Sequence, residues 1–180
     1  KEGKAQLKAR TEAALELVNV IGVDLARHAE GVVWSRHAEA WIRELEPEDG
    51  LWTARLLHNL AIVRQRAGEF AASEALQKRE LALLERSLGA DHPLVAEALN
   101  NLATLRLDLG SFAEAQALQL RALAMFEASL GPEHPNVAIA LDNLANILHV
   151  LGAGDEADAL AQRALAIRER AFGPVHPAVA

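Results

Sequence analysis

Apolar side chains return along this chain at steps of three and four. Val137, Leu141, Leu144, Ala145 and Leu148 follow that spacing, and so do Leu99, Leu102 and Ala103. An α-helix turns about 100° per residue, so such positions gather on one stripe and predict an amphipathic helix with a buried face. A second series, Ala157, Leu160, Ala164, Leu165 and Ile167, predicts another helix after a short break. Leu151-Gly152 marks that break, because glycine takes the left-handed conformation that closes a helix without a Cβ penalty. Phe172-Gly173 stops the second helix in the same way. The beginning is marked too: in Glu133-His134-Pro135 the proline has no N–H to lose at a first helical position, which leaves His134 near the N-cap.

This grammar is written three times. LHNLA at 57–61, LNNLA at 99–103 and LDNLA at 141–145 set Asn59, Asn101 and Asn143 at a step of 42 residues. Gly68, Gly110 and Gly152 keep the same step, as do Gly89, Gly131 and Gly173 and the pairs His92-Pro93, His134-Pro135 and His176-Pro177. A fixed period of this size without β signals predicts an array of helix pairs. Its repeats fall at 51–92, 93–134 and 135–176, with 177–180 starting a further helix, and the chain 1–180 reads as a single array. Residues 1–50 keep the apolar pattern without the signature letters. A shift of 42 places Leu15 on Leu57, Val18 on Leu60, Ile21 on Val63, Val33 on Ala75, Trp34 on Leu76 and Trp41 on Leu83. They read as a degenerate first repeat or cap, since terminal repeats cover an otherwise exposed apolar face.

Composition narrows what such an array can do. The chain is 51% hydrophobic with 4% aromatics and no Tyr, which favours an all-α protein. Without Cys there is no disulfide and no thiolate metal site. No apolar run is long enough to span a bilayer and no signal peptide opens the chain, so a cytoplasmic protein with no membrane partner is expected. A net charge of −7, spread along the chain, lacks the basic footprint of a nucleic-acid partner.

Candidate chemistry is sparse. Arg27-His28-Ala29-Glu30 and Arg36-His37-Ala38-Glu39 suggest a metal or acid/base site, but a nine-residue offset sets the two histidines about half a turn apart. They read as solvated helix faces. The His-Pro histidines stand a full repeat apart, beyond the reach of one ion, and read as caps. Trp34 and Trp41, two turns apart, read as core. No nucleophile–base pair, phosphate loop or catalytic carboxylate pair is present. No catalytic residue, no metal and no cofactor are expected, and the chain does not read as an enzyme.

The pattern Leu-x-x-Leu-Ala in each first helix, Gly-x-Phe at the turn (Gly68-Glu69-Phe70, Gly110-Ser111-Phe112) and the small residues Ala115, Ala122, Ala157 and Ala164 in the second helix resemble tetratricopeptide repeats. The 42-residue unit, opened by LxNLA and closed by LG-x-x-HP, is similar to the longer variety of kinesin light chains and many bacterial proteins. The resemblance covers 51–180. There are departures: Leu replaces the usual large aromatics of the first helix, Arg64 and Arg106 stand where Tyr is common, and Gly154 replaces Phe70 and Phe112. Ser73, Gln77 and Glu80 interrupt the small-residue pattern. The resemblance implies a right-handed α-α superhelix of antiparallel pairs, a bacterial origin, and a concave groove lined by the first helices.

On that resemblance the groove carries His58/Asn59, Asn100/Asn101 and Asp142/Asn143, extended by Arg55, Ile62 and Arg66, by Thr104 and Asp108, and by Asn146 and His149. An Asn amide can satisfy both the N–H and the C=O of an extended peptide. Helices packed about 8–10 Å apart, against about 3.3 Å per extended residue, would let one Asn per repeat meet roughly every third ligand residue. The same Asn has a second use, bonding a neighbouring helix or turn. If the amides serve a ligand, they are hydrated in the free chain, and replacing all three by Ala leaves melting nearly intact. The groove positions carry no Lys, which weighs against a clamp for a terminal carboxylate and favours an internal peptide segment or a partner helix. A protein–protein interaction module of scaffold or adaptor type is therefore expected. The alternative is a structural or sensor arm of a larger bacterial signalling ATPase or protease, its groove used intramolecularly. The chain stops at Pro177-Ala178-Val179-Ala180, where another first helix should begin, which suggests an excerpt. The uncapped last repeat also offers a face for self-association.

Overall fold

The computed structural model describes residues 2–45 and 50–173. The expectations at His176 and at 177–180 lie outside the described residues. Among those described, the regular elements are helices: α1 (Glu2–Asn19), running on through a π turn (Val20–Asp24), α2 (His28–Leu45), α3 (Leu51–Arg66), α4 (Phe70–Leu88), α5 (Pro93–Asp108), α6 (Phe112–Leu130), α7 (Pro135–Val150) and α8 (Gly154–Phe172). They pack as the antiparallel pairs α1/α2, α3/α4, α5/α6 and α7/α8 that the period predicts. No described helix is long and apolar enough to cross a membrane.

The chain divides into two compact units, Lys1–Gly89 and Ala90–Ala180. In the first, Ala14, Leu15, Ala38, Ile42 and Leu56 form a core against which Trp34, Trp41 and Trp52 pack half-buried. In the second, Leu99, Leu105, Leu141, Ile147 and Ile167 are fully enclosed, and Ala115, Ala122, Ala157 and Ala164 are buried along the second helices. Small residues there let the paired axes approach closely. The helix starts follow the predicted chemistry: His92 and His134 accept the N–H of Leu94 and Asn136 at Nδ1, each at 3.1 Å, with proline next in sequence.

The turns within the pairs carry the period. First helices end at 24, 66, 108 and 150, and second helices begin at 28, 70, 112 and 154, every step being 42 residues. Glu69 N–H donates to Arg64 O (2.8 Å), Ser111 to Arg106 O (2.8 Å) and Ala153 to Leu148 O (2.9 Å), the six-to-one bond of a Schellman turn. Gly110 closes its turn at φ 73°, and a Cβ built on it meets nothing within 4 Å. Backbone conformation, not crowding, selects glycine there.

The first pair departs from this pattern. Ala26 takes the glycine position at φ 52°. Leu25 N–H reaches back five residues to Val20 O (3.0 Å), and Arg27 N–H bonds Ile21 O (3.0 Å) rather than Gly22 O. The Gly22 carbonyl instead accepts from His28 Nδ1 at 2.8 Å. His28, expected on a solvated face, is thus half-buried and closes the turn, whereas His37 is exposed, ringed by Trp34 and Trp41.

A π turn inserts one residue into a helix. Before it, the match to later repeats is a step of 43, not 42: Thr11, Ala14 and Val18 are buried where Ala54, Leu57 and Ala61 are buried. Placing Leu15 on Leu57 and Val18 on Leu60 is therefore one residue out. The widened turn brings Gly22 against Gly31, where a Cβ on Gly31 would stand 2.6 Å from the Gly22 Cα.

Two substitutions test the turns by urea unfolding. Gly110→Val should lower the unfolding free energy by about 1–3 kcal/mol, because a β-branched residue is strained at positive φ. Ala26→Gly should raise it by about 0.5–1 kcal/mol, since the left-handed cost at that residue disappears. A destabilising Ala26→Gly would mean the turn is misassigned.

Candidate functional site

None of the thirteen expected groove residues is buried. Arg55, Arg66, Asp108, Asn146 and His149 are exposed, and His58, Asn59, Ile62, Asn100, Asn101, Thr104, Asp142 and Asn143 are half-buried. Each unit organises its own set.

In the second unit the polar positions converge on one atom. Asn100 Oδ1 on α5 accepts from Gln119 Nε2 on α6 (2.8 Å) and from Asn143 Nδ2 on α7 (2.9 Å). Gln119 is fully buried, and its Nε2 also donates to the Ala140 carbonyl at 3.0 Å. Three helices are joined through three side-chain amides. An amide oxygen has two lone pairs, so the Asn100 oxygen is filled. Exchanging its oxygen and nitrogen would set donors against donors, so the network fixes the orientation. The Asn100 Nδ2 group is left with no partner among the described residues. Thr104 Oγ1 donates to the Asn100 carbonyl at 3.1 Å, one turn further along the same face.

The position before each signature Asn is tied to the second helix of its own pair by a different chemistry. His58 Nδ1 donates to Glu80 Oε1 (3.1 Å), Asn100 receives Gln119, and Asp142 pairs with Arg168. Glu80 is 4% exposed, and its second carboxylate oxygen has no partner. Ser73, which broke the small-residue pattern, donates to Ala61 O at 2.9 Å. Gln77 donates weakly to Ser73 Oγ (3.4 Å) and Gln65 Oε1 (3.5 Å). Buried polar groups at these positions are thereby bonded, apart from the Glu80 oxygen, the carbonyl oxygens of Gln77 and Gln119, and Arg168 Nε.

The signature asparagines also act within the fold. Asn59 Nδ2 donates to Leu15 O of α1 at 2.9 Å, and Asn143 to Asn100. Each links its own first helix to the first helix of the preceding pair. Sequence reasoning missed Gln119, Glu80 and Arg168, because their partners lie 19 to 26 residues away. The one available signal was the glutamine repeated at 77 and 119. Among the described residues, no three His, Asp or Glu side chains are placed to hold a metal ion.

Because these amide donors are used in the free chain, Asn59→Ala and Asn143→Ala should each lower stability by about 0.5–1.5 kcal/mol in thermal or urea unfolding. Melting unchanged by both substitutions would return these side chains to the solvent.

The comparisons agree with this architecture. A tetratricopeptide-repeat family model matches residues 52–128 and 94–170. The crystal structure of BtubC (BKLC) from P. vanneervenii is similar over 97% of this chain and 74% of its own, with a TM-score of 0.77 and 21% identity. A Podosopora anserina putative kinesin light chain with nearly identical TPR-like repeats is similar over 99% of this chain and 82% of its own, with a TM-score of 0.71 and 21% identity. A variant of that protein gives a TM-score of 0.72 over the same shares. No curated protein matches the chain. At this identity the solved structures speak for the fold, while the family matches together span 52–170. The chain belongs to the tetratricopeptide-repeat family, and its fold is that of kinesin-light-chain-like repeats.

Proposed function

We propose that the chain binds an extended peptide segment or a partner helix on the face carried by its first helices, acting as a scaffold or adaptor. Tetratricopeptide repeats are in general protein–protein interaction modules and typically non-enzymatic scaffolds. The observation that carries the finer reading is Asn100. Its oxygen is held by two donors, so its two N–H groups are pre-oriented and open, suited to the carbonyl of a bound backbone. An amide fixed before binding loses little side-chain entropy when the ligand arrives. Ile139 on α7, 51% exposed, precedes Asp142 and Asn143 by three and four residues and supplies an aliphatic contact on the same helix face.

The test must separate ligand contact from fold, and Asn100→Asp does so. A carboxylate keeps an oxygen for Gln119 and Asn143 but replaces the outward donor with an acceptor. Helical content should be unchanged and melting should move by no more than roughly 3 °C. Affinity for a peptide selected by phage display on the wild-type chain should fall about tenfold or more, the size of a lost hydrogen bond with an acceptor left facing an acceptor. Equal affinity of both forms across several selected peptides would refute this role.

A further inference from the structure

A cavity open on one side lies beside the irregular first turn of the first unit. Val32, Val33 and Arg36 on one face of α2, with His28 at its start, stand across from Arg64 at the end of α3 and Glu69 in the turn that follows. The cavity is a cleft about half open to solvent, with a volume of about 540 Å³, within the range of small-ligand sites. Position 28 corresponds to Phe70 and Phe112, 42 and 84 residues on, so a histidine stands where the next two repeats place a large apolar ring. That ring is also drawn back onto the Gly22 carbonyl.

The lining has a definite chemistry. Val33 is 49% exposed, an aliphatic surface left to water beside a cation. Arg64 is paired with Glu69, so those two charges cancel. Arg36 is exposed and has no ion-pair partner among the described residues, which leaves the lining with one uncompensated positive charge. His28 must carry its proton on Nδ1 to donate to Gly22 O, so Nε2 is the ring nitrogen left for a ligand. An aliphatic body with a single anionic head complements that set.

We propose that this cavity binds a small aliphatic carboxylate, its chain on Val32 and Val33 and its carboxylate on Arg36. Guanidinium suits a carboxylate because its planar fork matches both oxygens. The shared chemistry has two sources, a free alkanoate and the C-terminal residue of a peptide ending in Leu or Val. The site is independent of the Asn100 face, so failure of one leaves the other standing.

The experiment is a ¹H–¹⁵N NMR titration of the full 180-residue chain with octanoate, acetyl-leucine, acetyl-leucinamide and acetate. At least one of the two larger acids should produce saturable shifts centred on residues 28–36 and 63–69, with a Kd of roughly a millimolar or below, as ligands of this size allow. Acetyl-leucinamide lacks the charge and acetate lacks the chain, and each should bind about tenfold more weakly. Arg36→Gln and Val33→Asp should each weaken the acid by about fivefold or more while the rest of the spectrum keeps its dispersion. Tighter binding of acetyl-leucine than of octanoate assigns the peptide source, and the reverse order assigns the free acid. The proposal is overturned by acids that fail to saturate up to about 10 mM, by an amide that binds as well as its acid, or by an Arg36→Gln chain that binds as well as wild type.

Discussion

Two hydrogen bonds onto the single oxygen Oδ1 of Asn100 hold the second unit's polar face in place. They come from a fully buried glutamine on α6 and from an asparagine on α7, so three helices meet at one acceptor. Unsatisfied buried amides cost about 1–3 kcal/mol each, which makes the arrangement directional: α7 can slide or rotate against α5 and α6 only by breaking it. The orientation of the one open amide on that face follows from the same bonds.

This explains the variation inside LxNLA. The two leucines and the alanine are constant because they line the apolar stripe at helical spacing, all of them buried except the half-buried Leu60. At 59 and 143 the constant asparagine reaches back to the preceding first helix. The second letter is free to change because each choice brings its own second-helix partner: His58 with Glu80, Asn100 with Gln119, Asp142 with Arg168. A surface can then differ from repeat to repeat without disturbing the apolar contacts beneath it.

What was legible in the sequence was local. A glycine just past a helix end and a proline at the start of the next are read within a few residues: α5 and α7 begin at Pro93 and Pro135, and α4, α6 and α8 end one residue before Gly89, Gly131 and Gly173. The half-exposed first-helix positions were legible too, since periodicity separates them from the buried stripe. The π turn was not, because one inserted residue in a pair without signature letters leaves no mark until burial is known. Nor was the use of the amides, for an Asn on a helix surface reads the same whether it faces a ligand or a neighbouring helix. His28 belongs to this second kind: its acceptor is a carbonyl freed by the π turn.

Which amide protons of the node lie inside hydrogen bonds, and which are open, decides whether the node both holds the helices and presents a donor. Hydrogen exchange of the side-chain NH₂ groups, read by NMR on the free chain, measures that directly. Slow exchange is expected for Gln119 and protection for Asn143, beside fast exchange at Asn100 with a rigid side chain. Fast exchange at Gln119 and Asn143, or protection of the Asn100 NH₂ in the free chain, would contradict it.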